Sequence, residues 1–170
     1  QLRPPAGFEL DAALGTTFSL DLLALLYAPL AFTFFDYEDK EGQPVADPLA
    51  LLDALRRQAS RIHLFCQAGQ IHPPAKHHLL FGYLESSINE VLPDRGVFHP
   101  KVWVLRYVSE QGVRYRLLAA TRNMTFDHSW DTLLVLDGEH HSGRRQRFSL
   151  NQPLVDFIGF LPNKTLRPIT

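Results

Sequence analysis

The sequence predicts an α/β fold in which a mixed β-sheet is flanked by helices on both faces. Segments with helical spacing alternate with strand-like segments in the first half of the chain, and three β-rich segments follow in close succession. These strands are apolar on both faces, so each face needs a covering layer of helices. The length of 170 residues matches one domain, and we expect a single domain over residues 1–170.

The first predicted element is a buried helix in the apolar stretch 22–35, with Ser19 or Asp21 as its N-cap. Pro29 lies in the middle of this stretch, so we expect the helix to break there and to continue as an extended or irregular segment. The stretch has 14 residues, fewer than the roughly 20 that a bilayer requires. The sequence therefore predicts neither a membrane-spanning helix nor a membrane partner.

The later elements follow from apolar periodicity and from turn residues. In chain order they are an acidic loop over 36–48, a helix over 48–60, a strand over 61–67, a short helix over 79–85, a short strand over 87–92, strands over 99–108, 113–121 and 132–136, and a helix over about 153–161. Helices and strands thus alternate early in the chain, and adjacent strands follow late.

The composition, with 45% hydrophobic and 21% charged residues, excludes a disordered, collagen-like or coiled-coil chain. A single cysteine, Cys66, excludes an internal disulfide and a cysteine-rich zinc finger, and it favours a cytoplasmic location. Cys66 with His72, His77 and His78 is a competing interpretation as a metal site. Closed zinc sites use shorter, paired ligand spacings, so we expect ordinary imidazoles here, with no metal and no cofactor.

Charge is distributed unevenly along the chain. Residues 1–94 contain 6 basic and 12 acidic side chains, and residues 95–170 contain 11 and 6, which together make the totals of 17 and 18. The C-terminal part is therefore the part suited to an anionic partner such as nucleic acid. Arginines there, including three between residues 144 and 147, are also compatible with an ordinary solvated surface.

The segment that begins at His99 contains the residues best suited to chemistry. With the two-residue period of a strand, His99 and Lys101 share one face with Trp103, Leu105 and Tyr107. The two polar residues come first, so we expect them at an edge of the sheet that a ligand can reach. We interpret Trp103, Tyr107 and also Phe126 as core, with base stacking as the alternative.

The turn after this strand brings a second set of polar residues against the first. If residues 110–112 form a three-residue loop, the hairpin places Lys101 opposite Thr121 and His99 opposite Asn123. An imidazole, an ammonium group, a hydroxyl and a carboxamide then surround the position of one tetrahedral anion. An imidazole can attack phosphorus and leave again, while lysine and amide groups hold the non-bridging oxygens. The ammonium group also disfavours the imidazolium form, and the scheme requires no metal.

Two motifs carry a family resemblance. His99-Pro100-Lys101, followed after the hairpin by Ala120-Thr121-Arg122-Asn123, resembles the phospholipase D superfamily signature, His-x-Lys and then Gly/Ser-Ser/Thr-x-Asn. The continuation over residues 123–131 is similar to a bacterial branch of that superfamily. Many members have an aspartate in the region where this chain has Leu105 and Arg106. The tyrosyl-DNA phosphodiesterase branch also lacks that aspartate.

The resemblance implies a role for each residue of the motifs. His99 would be the nucleophile, Lys101 and Asn123 would bind phosphate, and Asp131 would orient the histidine. Within the second motif, Thr121 and Arg122 are the candidate substrate-binding residues. The family pairs two such motifs, whereas this chain has one His-x-Lys, so a second copy is expected from an identical subunit or from a further segment of a longer protein.

The sequence therefore predicts a metal-independent, nuclease-like phosphodiesterase that acts through a covalent phosphohistidine on His99. Nucleic acid is the expected substrate, because the basic part of the chain has no amphipathic membrane-binding stretch beside it. The alternative is a catalytically silent phospholipase D-like half-domain that binds nucleic acid or mediates dimerisation.

Overall fold

A computed structural model, which describes residues 1–33, 48–76, 79–140 and 148–169, contains a six-stranded mixed sheet with helices on both faces. In chain order the elements are β1 (Glu9–Thr17), β2 (Leu20–Asp21), α1 (Leu22–Thr33), α2 (Pro48–Ala59), β3 (Ile62–Gln67), β4 (Ile71–His72), the 3₁₀-helix η1 (Leu79–Ser87), β5 (Ile88–Val91), β6 (Val102–Ser109), β7 (Gly112–Ala120), β8 (Leu133–Glu139), α3 (Phe148–Phe160) and the 3₁₀-helix η2 (Leu161–Lys164). The predicted α/β fold is confirmed.

The strand order of the sheet is β5-β3-β1-β6-β7-β8, and β2 and β4 form a separate two-stranded sheet. β1, β3 and β5 are parallel, whereas β6, β7 and β8 continue the sheet from β1 as an antiparallel ladder. The carboxyl ends of β1, β3 and β7 therefore lie beside the amino ends of β6 and β8. We call this side of the sheet the upper edge, and its strands end or begin there at Thr17, Gln67, Val102, Ala120 and Leu133.

The larger apolar core lies between one face of the sheet and the helices α1 and α2. Leu25, Ala28 and Phe32 recur along one side of α1 and are 0–2% exposed. They belong to the same cluster as the sheet residues Leu10, Ala13, Ile62, Leu64, Cys66, Trp103, Leu105, Tyr107 and Leu118. The predicted shared face of Trp103, Leu105 and Tyr107 is thus confirmed, and all three are buried.

A smaller core covers the other face at the parallel side of the sheet. Phe65 and Val91 pack there with Phe98 and Leu161, and Phe157 of α3 lies against them. In β3, Phe65 points to this core while its neighbours Leu64 and Cys66 point to the larger one. Because α3 and η2 cover this second face, helices lie on both sides of the sheet.

The central strand β1 is an element that the sequence pattern did not indicate. Its sequence, Glu-Leu-Asp-Ala-Ala-Leu-Gly-Thr-Thr, is poor in the β-branched and aromatic residues that favour strands. The small residue Gly15 permits close packing, since a Cβ atom there would lie 2.7 Å from Leu64 Cδ1 and 2.9 Å from the Trp103 ring. Pairing with β3 and β6 on its two sides therefore outweighs the weak local preference.

Two prolines lie inside helices, contrary to prediction. α1 continues through Pro29 to Thr33, and α3 begins at Phe148, ahead of Pro153 rather than at it. A proline removes one backbone hydrogen bond, but the buried side of α1 holds the turns before and after it. The other predicted elements agree with the structure to within a few residues; the acidic loop over 36–47 and residues 34–35 lie outside the described residues. Within the described ranges no helix has the length and apolar character needed to cross a membrane.

Candidate active site

The segment that carries His99 and Lys101 lies at the upper edge, directly before β6. We predicted a strand from residue 99, whereas β6 begins at Val102. Two side chains from neighbouring strands hold this segment. Gln67 Oε1 accepts a hydrogen bond of 2.6 Å from the Phe98 N–H, and Thr16 Oγ1 accepts one of 2.9 Å from the Val102 N–H. The backbone on both sides of His99 is therefore fixed to the ends of β3 and β1.

Lys101 contacts the imidazole of His99 directly. Its Nζ lies 3.0 Å from Nδ1 and 3.2 Å from Nε2, and it donates a hydrogen bond of 3.2 Å to the His99 carbonyl. His99 is exposed, whereas Lys101 is half-buried, and burial lowers the pKa of Lys101 from its ordinary value. The arrangement presents an accessible imidazole with an ammonium group beside it.

Phe18, the first residue after β1, connects His99 to Asn123. Its ring centroid lies 5.1 Å from that of His99, with the two planes inclined at 46°. Its N–H donates a hydrogen bond of 3.3 Å to Asn123 Oδ1. Phe18 therefore contacts both the His99 ring and the Asn123 carboxamide at the upper edge, although nothing in the sequence pattern singled it out.

The hairpin that was expected to bring these residues together has a different register. Ser109 pairs with Gly112, so the loop has two residues rather than three. Gly112 adopts φ +131°, a conformation that favours glycine. Every pair along the hairpin is consequently shifted by one residue, and the Lys101 carbonyl accepts its hydrogen bond from the Ala120 N–H at 2.9 Å. The predicted pairs of Lys101 with Thr121 and of His99 with Asn123 are wrong.

Asn123 reaches its place because the chain leaves the hairpin after Ala120 and crosses the upper edge. The Met124 N–H donates to Thr17 Oγ1 at 2.9 Å, and the Met124 carbonyl accepts from the Asp21 N–H at 2.9 Å. These bonds attach residues 123–124 to the end of β1 and to β2, on the far side of β6. The crossing, and not the strand pairing, brings the Asn123 carboxamide to the backbone N–H of Phe18.

Asp131 is placed on the turn after β7. Its Oδ1 accepts hydrogen bonds from the Thr121 N–H at 3.0 Å, the Thr121 hydroxyl at 2.9 Å and the Arg122 N–H at 3.2 Å. Burial raises the pKa of the Asp131 carboxyl, but these hydrogen bonds outweigh it, and the pKa lies below its ordinary value. Within the described ranges, no hydrogen bond joins Asp131 to His99.

Arg122 and Thr121 are engaged in the loop between β7 and β8. Arg122 Nη2 donates to the carbonyls of Thr125 and Asp127 at 3.0 and 2.6 Å and forms an ion pair of 3.4 Å with the Asp127 carboxylate. The hydroxyl of Thr121 also accepts from the Thr132 N–H at 2.9 Å. Both residues thus shape the loop over 121–131, which we call the 121–131 loop.

The competing metal site is only partly within the described structure. Cys66 is fully buried in β3, where burial raises the pKa of its thiol to about 12, and His72 is exposed on β4. His77 and His78 lie outside the described residues. In the part of the chain that the structure describes, no three His, Cys, Asp or Glu residues are grouped closely enough to hold a metal ion.

The upper edge is where α/β proteins commonly bind ligands, because loops from several strand ends meet there. In comparisons with known proteins, no family model, no curated protein and no solved structure matches this chain. The contacts among His99, Lys101, Phe18 and Asn123 are therefore the basis for assigning a function.

Proposed function

We propose that the chain is a phospholipase D-like phosphodiesterase that acts without a metal, through a covalent phosphohistidine on His99. One observation carries the proposal: Lys101 Nζ lies 3.0 Å from the His99 ring, and Asn123 is tied to the residue against which that ring packs. An accessible nucleophile thus has a lysine beside it, and the Asn123 carboxamide is linked to it through Phe18.

The proposed reaction has two displacements at phosphorus. A ring nitrogen of His99 forms a P–N bond as the bond from phosphorus to the leaving oxygen breaks, and the leaving oxygen takes up a proton. Water then attacks the phosphohistidine, the P–N bond breaks, and a phosphomonoester is released. Phosphorus is neither oxidised nor reduced, so the cycle needs no redox partner.

Lys101 and Asn123 would hold the non-bridging oxygens while negative charge develops on them. The ammonium group of Lys101 supplies the positive charge. Nδ2 of the Asn123 carboxamide is its hydrogen-bond donor towards an oxyanion, while Oδ1 accepts from the Phe18 N–H. The hydrogen bond from the backbone therefore sets the orientation of the amide.

The leaving oxygen needs a proton donor, which in this scheme belongs to a second motif. We propose that an identical subunit or a further segment of a longer protein supplies it. Nucleic acid is the proposed substrate, because residues 95–170 carry 11 basic and 6 acidic side chains. The proposed setting is the cytoplasm, as the single cysteine suggests.

One observation favours the alternative, a catalytically silent half-domain that binds nucleic acid or mediates dimerisation. The hydrogen bonds of Asp131 Oδ1 go to Thr121 and Arg122, so this carboxylate is committed to the loop instead of orienting the imidazole. Such a domain would retain the phosphate-binding groups and lack turnover.

Hydrolysis of bis(p-nitrophenyl) phosphate and of single-stranded DNA, both with EDTA present, tests the proposal. We expect turnover by the wild type, loss of turnover in His99→Ala, and no change in the matched control His72→Ala, an exposed histidine on β4. Rapid denaturation during turnover should trap phosphate on the protein in an acid-labile form. Light scattering on the same samples reports whether the active species is a dimer.

Two results would contradict the mechanism: turnover that survives His99→Ala, and turnover that EDTA abolishes. Binding of DNA by a wild-type dimer that shows no turnover would instead support the silent half-domain.

A further inference from the structure

The 121–131 loop presents a tryptophan almost entirely to solvent. Trp130 is 98% exposed, whereas the other tryptophan, Trp103, is 9% exposed. Tryptophan has a large apolar ring, so its full exposure in a folded loop forgoes the stabilisation that burial would provide. A binding function would explain why the loop holds this large ring in contact with water.

Hydrogen bonds anchor the chain on both sides of Trp130. Before it, the Ser129 N–H and hydroxyl both donate to Asp127 Oδ1, the former at 2.9 Å. After it, Asp131 accepts the three hydrogen bonds from Thr121 and Arg122. The ring is therefore carried by a backbone that is already ordered, and little further ordering is required when a ligand binds.

The loop places this ring on the same edge as the His99 site. Asp131 is attached to Thr121, and Thr121 directly follows Ala120, whose N–H donates to the Lys101 carbonyl. A short path of contacts thus joins Trp130 to the proposed phosphate-binding lysine.

A pair of exposed aromatic rings lies near the middle of the loop. Phe126 and Tyr27 are 56% and 58% exposed, and their rings meet edge to face at 5.6 Å. The Phe126 N–H donates to Asp21 Oδ2 at 3.2 Å, which fixes this part of the loop beside β2. The interpretation of Phe126 as a core residue was therefore wrong.

We propose that Trp130 stacks on an unpaired base, so that the ligand of this edge is single-stranded nucleic acid. The inference rests on the proposed function of the His99 site, whose substrate class it narrows. Any base offers a flat ring for stacking, but in a duplex both faces of that ring are covered by neighbouring pairs. A projecting indole ring therefore selects bases that are not paired.

A base fits this ring better than a protein surface does. The residues around Trp130 in the loop are polar, namely Asp127, His128, Ser129, Asp131 and Thr132. An ordinary protein interface buries about 800 Å² on each partner around an apolar centre. With polar residues on either side of it in the sequence, the Trp130 ring provides a place for one flat ligand group.

Binding measurements on a cleavage-deficient background test the inference. The probes are a single-stranded oligothymidylate, an abasic oligomer with the same number of phosphates, and a duplex of the same length. In the His99→Ala background we compare Trp130→Ala and Trp130→Phe with Tyr83→Ala, a matched control that removes an exposed ring of η1.

We expect Trp130→Ala to weaken binding of the oligothymidylate by about 5- to 150-fold and to leave binding of the abasic oligomer unchanged. Trp130→Phe should retain most of the affinity, because a smaller ring still stacks, and Tyr83→Ala should retain all of it. The duplex should bind more weakly than the single strand in the parent protein.

Equal binding of the base-bearing and abasic oligomers would overturn the inference, as would a Phe variant no better than the Ala variant. If Trp130→Ala instead converts a dimer to a monomer in light scattering, the ring belongs to a protein interface and the inference fails. Cleavage of abasic and normal strands alike by the wild type, lost in His99→Ala, would retain the proposed function and reject the stacking. Binding that depends on the bases, without any cleavage, would support the stacking and reject the proposed phosphodiesterase function.

Discussion

Trp103 lies in the interior of the sheet with 9% of its surface exposed, whereas Trp130 stands on the 121–131 loop with 98% exposed. Trp103 belongs to the larger apolar cluster together with Leu64 and Leu105, and it pairs with Gly15 of β1 and Leu118 of β7. Around Trp130 the contacts that order the chain are hydrogen bonds to two carboxylates. The interior gains its stability from burial, and the edge gains its shape from polar contacts that leave the aromatic ring accessible.

A similar difference separates the two sides of the sheet. The parallel strand β3 is buried on both faces, since Leu64 and Phe65 are 0% and 2% exposed. The terminal strand β8 exposes Leu134 and Leu136 by 53% and 50%. Substitutions that remove apolar atoms should therefore have large effects at β3 and small effects at β8.

The largest effect is expected from Leu64→Ala in β3. Removal of a fully buried leucine side chain should lower the free energy of unfolding by about 2–5 kcal/mol, because it leaves a cavity in the larger core. Leu134→Ala, the matched control on β8, should cost less than about 1 kcal/mol. Urea denaturation monitored by circular dichroism measures both, and equal losses would contradict the contrast between the two sides.

Gly15→Ala tests the close packing of β1 against Trp103. The new Cβ would lie under 3 Å from the Leu64 and Trp103 side chains, so these must shift, and we expect a loss of about 1–3 kcal/mol. At Gly159 in α3 a Cβ meets open space, so Gly159→Ala should stabilise the protein by up to about 1 kcal/mol. Thermal unfolding compares the two; a neutral Gly15→Ala would show that the interior is looser than described.

Asp131→Asn tests the polar support of the 121–131 loop. The neutral amide accepts hydrogen bonds more weakly than the carboxylate does, and at this exposed position we expect a loss of about 0.5–1 kcal/mol. The folded pKa of Asp131 is depressed, so its contribution to stability is complete above the ordinary carboxyl pKa of about 4 and is lost as pH falls through the folded pKa.

Amide hydrogen exchange at Thr121 and Arg122 reports this contribution residue by residue. Protection should fall in the wild type as the carboxyl takes up its proton, and in Asp131→Asn it should be lower and independent of that step. Asp53→Asn, which removes an exposed ion pair of α2, is the control and should leave both amides unchanged. Unaltered protection in Asp131→Asn would show that other contacts order the loop.

The smallest expected effect concerns the half-buried Lys101. Because burial lowers its pKa, its ammonium group loses its proton at a lower pH than an ordinary lysine does. On the proposed function, KM for bis(p-nitrophenyl) phosphate should rise by about threefold as pH increases towards the ordinary lysine range. Lys101→Arg keeps its charge, so its KM should stay flat over the same range, whatever its absolute level. If KM changes with pH in the same way in the wild type and in Lys101→Arg, the charge of Lys101 does not contribute to substrate binding.

Strong local patterns accounted for most of the elements. The spacing of Trp103, Leu105 and Tyr107 identified the buried face of β6, and the turn residues after Ser109 identified the hairpin, although not its register. β1 was missed because its residues have little intrinsic preference for a strand, and its extended form depends on partners distant in sequence. The proline in α1 misled for a related reason, since packing of the buried side of that helix outweighed a single lost hydrogen bond.

At the site, His99, Lys101 and Asn123 were identifiable because their chemistry and spacing stand out in the sequence. Phe18, Gln67 and Thr16 were missed, since a phenylalanine, a glutamine and a threonine carry no local signal for a role that depends on neighbouring strand ends. For Trp130 a signal existed: a large aromatic residue stands alone within a polar segment.

Residue order alone thus specified the α/β class, most strands and helices, and the identity of the chemically capable side chains, because apolar periodicity and side-chain chemistry are local properties. Three-dimensional folding decided the one-residue register of the hairpin, the central place of β1 and the crossing that carries Asn123 to Phe18. Each of these depends on contacts between segments that are far apart in the chain. Such contacts differ from their alternatives by only a few hydrogen bonds, and a local pattern cannot distinguish them.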